Sequence, residues 1–233
     1  MSQGSTSVSP SVFAYIIRTV GPGYKLKGAV PWVFSGRVFF GACKKRMRPH
    51  VNPGDYVMGI SGSDAGNPRR VLLWMKVDKR MTFKEAYDRG KKDNVFRALR
   101  GTAIHVRPLD VPLHMSGNPN CYDHIPGAPH EEDWQSDLKG KGDVFLTGAA
   151  GSWVAEGDGP IVTEKLVELL RAGITWKGLA TVENPLTRNA RGKHVCVTGR
   201  AANQIISWVP RISMQSVSSE HQCNACARKC SCE

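Results

Sequence analysis

Between positions 105 and 133, His105, His114, Cys121, Asp123, His124, His130 and Asp133 carry groups able to move a proton or hold a metal. Imidazoles and carboxylates gathered in one segment could supply a general acid and base, and three of them could ligate a metal. Their spacing matches no recognised zinc pattern, because the segment has no H-E-x-x-H and no paired C-x-x-C. Asp123 and His124 are the candidate catalytic pair, followed by Asp143 at the head of an apolar run. A second cluster ends the chain, where Cys223, Cys226, Cys230 and Cys232 place four thiols within ten residues, with His221 beside them. Four thiolates can close a tetrahedral Zn2+ site. The final spacings are tighter than those of a common zinc knuckle, so a thiol-rich tail without metal is the competing reading.

Binding chemistry is written more broadly. The 233-residue chain carries 32 Lys/Arg against 20 Asp/Glu, a net charge of +12. Residues 37–107 alone hold 17 Lys/Arg and 6 Asp/Glu, so nearly all the excess falls in less than a third of the chain. A positive field confined to one segment points to a polyanion, with nucleic acid the first candidate ahead of phosphorylated small molecules, an anionic membrane or plain solubility. Lys44, Lys45, Arg46 and Arg48 form its densest run, and Lys91 and Lys92 extend it. Each phosphate contact adds affinity and salt dependence without reading sequence. The alternative is a solvated basic face. Trp32, Tyr122 and Trp153 lie beside Gly/Pro loops and are candidates for stacking a base, worth roughly 1–3 kcal/mol per base. Trp74, inside an apolar strand, is expected in the core, and Asp55, beside Gly54, is expected to satisfy a turn.

Other classes have little support. No apolar run approaches the roughly 20 residues that span a bilayer, and the opening MSQGSTSVSPS lacks the regions of a signal peptide. Cys43, Cys121 and Cys196 are scattered through the body, which is no secreted disulfide framework. The expectation is a cytoplasmic protein with no membrane partner.

The elements that must position these residues begin with strand VFAYIIRTV at 12–20, closed by Gly21-Pro22-Gly23. Arg37–Ile60 reads as a strand, a basic turn and a second strand entered through Pro53-Gly54-Asp55, the two strands holding the basic turn as a rigid pair. VLLWMKV at 71–77 should pair with residues 56–60 across a turn-rich loop. Thr82 and Glu85 make a capping box that opens a helix over 82–100. Residues 101–143 resist a regular reading, and a segment of that length is unusual in a compact domain unless it is functional or disordered. DVFLT at 143–147 is a strand. Gly159-Pro160 opens a second helix over 161–172, KHVCVT at 193–198 is a short strand, and 201–209 is a last apolar element. Residues 1–11 are a flexible lead, 12–210 one domain, and 211–233 a linker and cysteine tail. The order of elements favours an α+β fold, a mixed and mostly antiparallel sheet curling towards a barrel with packed helices. No G-x-G-x-x-G or P-loop supports a doubly wound nucleotide fold.

The ordered set FAYIIRTV, a Gly/Pro loop, FFGACKKRMR, NPGDYVMGISG and VLLWMKV with its following helix resembles the nucleotide modification associated domain of the second type. Cys121-Tyr122-Asp123-His124-Ile125, GDVFLTG and Gly159-Pro160 fit as well, extending the resemblance over about 12–210. The loop at 21–31 is more basic than that pattern, and the cysteine tail lies outside it. The resemblance implies a phage or bacterial protein of a DNA base-modification system, working beside partner enzymes of that chemistry. The strand–turn–Gly-Asp–strand arrangement is also similar to PUA-like domains, the ASCH and EVE groups, which implies a small barrel holding RNA or a flipped, modified base. On this second resemblance the basic loop positions phosphates while an aromatic pocket reads one base. The alternative is an enzyme acting on a base or nucleotide through residues 105–143.

Overall fold

The computed structural model describes residues 9–17, 19–20, 25–26, 31–34, 37–41, 44, 46–62, 68–89, 113–115, 122–124, 140–155, 159–175 and 194–212. Two short strands, β2 (Thr19–Val20) and β3 (Lys25–Leu26), pair with each other, as do β8 (Leu113–Met115) and β9 (Tyr122–His124). The remaining strands form one sheet. They are β1 (Val12–Ile17), β4 (Trp32–Phe34), β5 (Arg37–Phe40), β6 (Tyr56–Ser61), β7 (Val71–Met81), β10 (Phe145–Gly148), β11 (Trp153–Val154), β12 (Ile174–Thr175) and β13 (His194–Val197). Their order is β12-β13-β1-β6-β7-β10-β5-β4, with β11 added alongside β7. Every pairing is antiparallel except β1 with β6. The sheet is therefore mixed and mostly antiparallel, and it stays open: among the described residues β4 and β12 do not meet to close a barrel.

Period-two alternation decides which face each side chain serves. Phe13, Tyr15 and Ile17 of β1 join Val57, Leu73, Met75, Val77, Leu146, Val38 and Phe40 in one cluster. Val12 and Ala14 join Met58, Ile60, Val71, Trp74, Val195 and Val197 on the opposite face. That second face is covered by α2 (Glu164–Arg171) and α3 (Gly199–Ile212), through Leu166, Leu170, Ala202, Ile205 and Val209. Trp74 is 3% exposed, as a core tryptophan should be.

The long strand β7 is the spine. β6 runs along one edge, with Tyr56 against Lys76 and Met58 against Trp74. β10 and β11 are two halves of one antiparallel strand on the other edge, from Phe145 against Met81 to Val154 against Leu73. Residues 149–152 leave the sheet between them in a small-residue turn. Its ends are tied back at Lys76, whose carbonyl accepts the Ala149 N–H at 2.7 Å and whose N–H donates to Ser152 Oγ at 3.2 Å.

Several boundaries differ from the sequence reading. The second helix begins at Glu164, with Thr163 Oγ1 accepting the Leu166 N–H at 3.3 Å. Gly159-Pro160 belongs instead to a segment laid on β7, since the Pro160 carbonyl accepts the Val71 N–H and Ile161 bridges to Arg70. The last apolar element is the helix α3. The capping-box helix α1 is described over Phe83–Arg89, so the rest of the expected 82–100 span lies outside the described residues. No helix among the described residues is long and apolar enough to cross a membrane.

Candidate nucleic-acid interface

The basic stretch is not the turn of a hairpin. β5 and β6 are separated in the sheet by β7 and β10, so residues 41–55 cross between non-neighbouring strands. A crossover needs anchors, and the sequence alternates them with its cations. Met47 and Val51, both 0% exposed, plug the β1/β5 face of the sheet, each worth about 1.5–3 kcal/mol of burial. Between them a single 3-10 turn, Arg48–His50, carries Pro49 in its first turn. Lys44 starts the turn with φ 58, and its carbonyl accepts the Met47 and Arg48 N–H groups at 2.8 and 3.1 Å. A non-glycine residue in the left-handed region marks a backbone held by its surroundings.

The cations of the stretch divide between two environments. Arg46 is exposed. Arg48 is 0% exposed, donates from Nη1 to the Val144 carbonyl and lies 5.5 Å over the Phe83 ring. The arginine expected on the phosphate-facing surface is thus a strut of the interior. Lys44 is half-buried, its Nζ 5.0 Å over the Tyr15 ring.

Around this turn the fold gathers basic side chains and imidazoles that the sequence does not place together. His50 is exposed beside Arg80 of β7 and Lys141 of the turn Gly140–Gly142, and its pKa is lowered first by partial burial and then by those two charges. Arg80 is held by a 3.3 Å bond from its Nη1 to Asn52 Oδ1. His194 of β13, 2% exposed, has its pKa pushed down to about 4 by burial first, then by Lys44 and His50. The carboxylates near the turn serve the scaffold. Asp55 accepts the Ser11 and Asn52 N–H groups at 2.8 and 2.9 Å, the turn role expected of it. Asp143 accepts the Phe83 N–H, and burial raises its pKa against the opposing effects of that bond and of Arg48. The result is a rim with Arg46, His50, Arg80 and Lys141 at its surface and Lys44 and His194 behind it.

The other candidates fall in different places. Trp153 is half-buried on β11, opposite Trp74. Trp32 lies on β4 and Tyr122 on β9. Asp123 and His124 also lie on β9, and the register sets Asp123 opposite His114. Lys45, Lys91, Lys92 and the cluster Cys223, Cys226, Cys230 and Cys232 lie outside the described residues. Sequence reasoning passed over His50, Arg80, Lys141 and His194, which come from four separate elements.

Residues 9–102 match the family model described as nucleotide modification associated domain 2. Comparison with curated proteins and with solved structures finds no match. The matched segment holds 19 Lys/Arg and 6 Asp/Glu, and the rest of the chain 13 and 14, so the match and the positive charge coincide. It includes the β1, β5, β6 and β7 strands and the whole basic crossover, whereas Asp123, His124, Asp143 and Trp153 lie beyond it. Over residues 9–102, less than half of its length, the chain is thus similar to nucleotide modification associated domain 2, whose name points to a nucleotide-modification system.

Proposed function

We propose that this protein binds nucleic acid, DNA foremost, and recognises a base that the associated system modifies. The observation that carries the reading is the rim of Arg46, His50, Arg80 and Lys141 around one anchored turn. Met47, Arg48 and Val51 fix that backbone from inside, so Arg46, with Arg80 and Lys141 beside the turn, meets a phosphate backbone with little ordering left to do, and His50 offers a hydrogen-bonding imidazole. Phosphate contacts of this kind set register and orientation, and base contacts elsewhere supply the specificity. The enzymes that make the modified base are the natural partners.

A second reading, an enzyme acting on a base or nucleotide, is supported by the β8/β9 register that sets His114 beside Asp123. Asp123→Ala or His124→Ala leaves binding intact under the first reading and abolishes turnover under the second.

The test is binding of the purified full chain to matched duplexes, one set with ordinary and one with modified bases, each titrated at two salt concentrations. Tighter binding of the modified set supports a reader. Equal, salt-sensitive binding reduces the rim to an electrostatic handle, and binding to neither set rejects the proposal.

A further inference from the structure

His50 ends the 3-10 turn Arg48–His50 and is exposed, while the buried Arg48 and Val51 hold its backbone from either side. Two cations are fixed beside it by hydrogen bonds that do not involve the imidazole. Arg80 of β7 donates from Nη1 to Asn52 Oδ1 at 3.3 Å, two residues past His50. Lys141 sits in the turn Gly140–Gly142, which touches the Arg48–His50 turn. That second turn is tied at its end: the Gly142 carbonyl accepts the Val144 N–H at 2.7 Å, and the Val144 carbonyl accepts from Arg48 Nη1. The fold thus holds together an imidazole, a guanidinium and an ammonium from three elements.

Like charges around the imidazole oppose its protonation. Partial burial lowers the His50 pKa first, and Arg80 and Lys141 lower it further. Lys44, Arg46 and Arg48 add positive charge from its own stretch, and His194 of β13 lies close enough for His50 to lower the His194 pKa in turn. The carboxylates around the turn are engaged by the scaffold. Asp55 accepts the Ser11 and Asn52 N–H groups, Asp143 the Phe83 N–H, and Glu85 of α1 the Thr82 N–H. Arg80 and Lys141 form no ion pair among the described residues. Positive charge is therefore gathered around a group whose own charge changes near neutral pH.

We propose that this site binds phosphate and proton together: a phosphodiester seated between Arg80 and Lys141 draws a proton from solvent onto His50, which then donates a hydrogen bond to it. In the free protein the imidazole meets two cations and stays neutral at neutral pH; in the complex it meets an anion that reverses the local balance. A hydrogen bond from imidazolium to phosphate is roughly twice as strong as a neutral one. By linkage, the phosphate strengthens proton binding by the same factor as the proton strengthens phosphate binding. Nucleic-acid affinity therefore rises as pH falls through the ordinary histidine range, by at most about tenfold per pH unit for one proton. The proton link deepens the nucleic-acid reading and rests on it, since the phosphate is that of the bound strand.

The test is titration of the full chain with one duplex at constant salt from about pH 8 to about pH 6, a range over which the folded His194 stays neutral. Proton NMR of the histidines follows His50 in the free and the bound protein. Affinity is expected to rise severalfold towards the acidic end, and the His50 titration to move to higher pH on binding. His50→Gln keeps a hydrogen-bonding side chain without a titrating charge, so it flattens the pH dependence and keeps the salt dependence, while its thermal melt stays close to wild type. Arg80→Gln weakens binding and moves the titration of His50 in the free protein upward. Wild-type affinity that depends on salt but not on pH overturns the proton link and leaves the basic rim standing. A pH dependence that survives His50→Gln in full also overturns it, as does a His50 titration that binding leaves in place. Absence of binding at every pH overturns both readings.

Discussion

Asp143 Oδ1 accepts the backbone N–H of Phe83 at 2.8 Å across 60 residues of chain, closing the N-terminus of α1 with a carboxylate from another element. Arg48 lies over the Phe83 ring and lowers the Asp143 pKa by its charge, so one buried arginine touches both the helix start and its cap. The basic turn and the capping-box helix are thereby a single mechanical unit.

Asp143→Ala is expected to lower stability by about 0.5–2 kcal/mol, the usual cost of removing a cap. The carboxyl's folded pKa lies above its unfolded value because burial outweighs the Phe83 bond and Arg48. Just above the ordinary carboxylate range the folded state therefore binds more protons than the unfolded one, and this group's contribution falls as pH rises there. Urea midpoints of wild type and variant across that range check the sign.

Arg48 and Arg46, two positions apart, should separate stability from binding. Arg48→Met leaves the buried Val144 carbonyl without its donor and removes the charge that favours the Asp143 carboxylate, and is expected to cost about 1–3 kcal/mol. Arg46→Ala, at an exposed position, should move stability by no more than about 0.5 kcal/mol while weakening duplex binding. Chemical denaturation and a binding titration on the same two variants distinguish them.

His194 makes the fold acid-sensitive. The unfolded chain takes up this proton near the ordinary 6.5, whereas the folded protein holds the imidazole neutral down to about 4. Between those values the unfolded state binds more protons, so stability is complete above the upper value and is lost on acidification through the window. The slope from one such group is at most about 1.4 kcal/mol per pH unit. His194→Leu should flatten it, as read from denaturation midpoints between neutral and mildly acidic pH.

Lys44/Lys45/Arg46→Ala is expected to weaken binding to every duplex alike and to reduce the slope of log K against log salt by about 0.9 for each phosphate that is no longer neutralised. Affinity unchanged at low salt would sink the basic-loop assignment. Adding Arg80→Ala should extend the same trend, because Arg80 shares the rim through His50.

Much of this architecture is legible in local sequence. Thr82 and Glu85 form the capping box their spacing announces: the Thr82 N–H donates to Glu85 Oε2 at 2.7 Å and the Glu85 N–H to Thr82 Oγ1 at 3.1 Å. The pairing of β6 with β7 follows from two apolar runs joined by a turn-rich loop, and Trp74 is buried as its strand requires. Each of these depends on contacts between near neighbours in the chain, where propensity and alternation decide.

What alternation and charge could not settle is which strands lie side by side. The run FFGACKKRMRPHVNPGDY reads equally as a hairpin or a crossover, because both need the same turn residues and the same apolar flanks. Only the insertion of β7 and β10 between β5 and β6 makes it a crossover, and that change turns Met47 and Val51 into plugs and Arg48 into a buried strut. His194 and Lys141 come to the rim from residues far along the chain, through strand pairings that local pattern does not encode. Charge, strands and the capped helix thus follow from residues close together in the chain, whereas the choice of which cations face solvent waits on the assembled sheet. Burial of a side chain depends on long-range pairing, and a buried guanidinium and an exposed one look identical until their partners are in place.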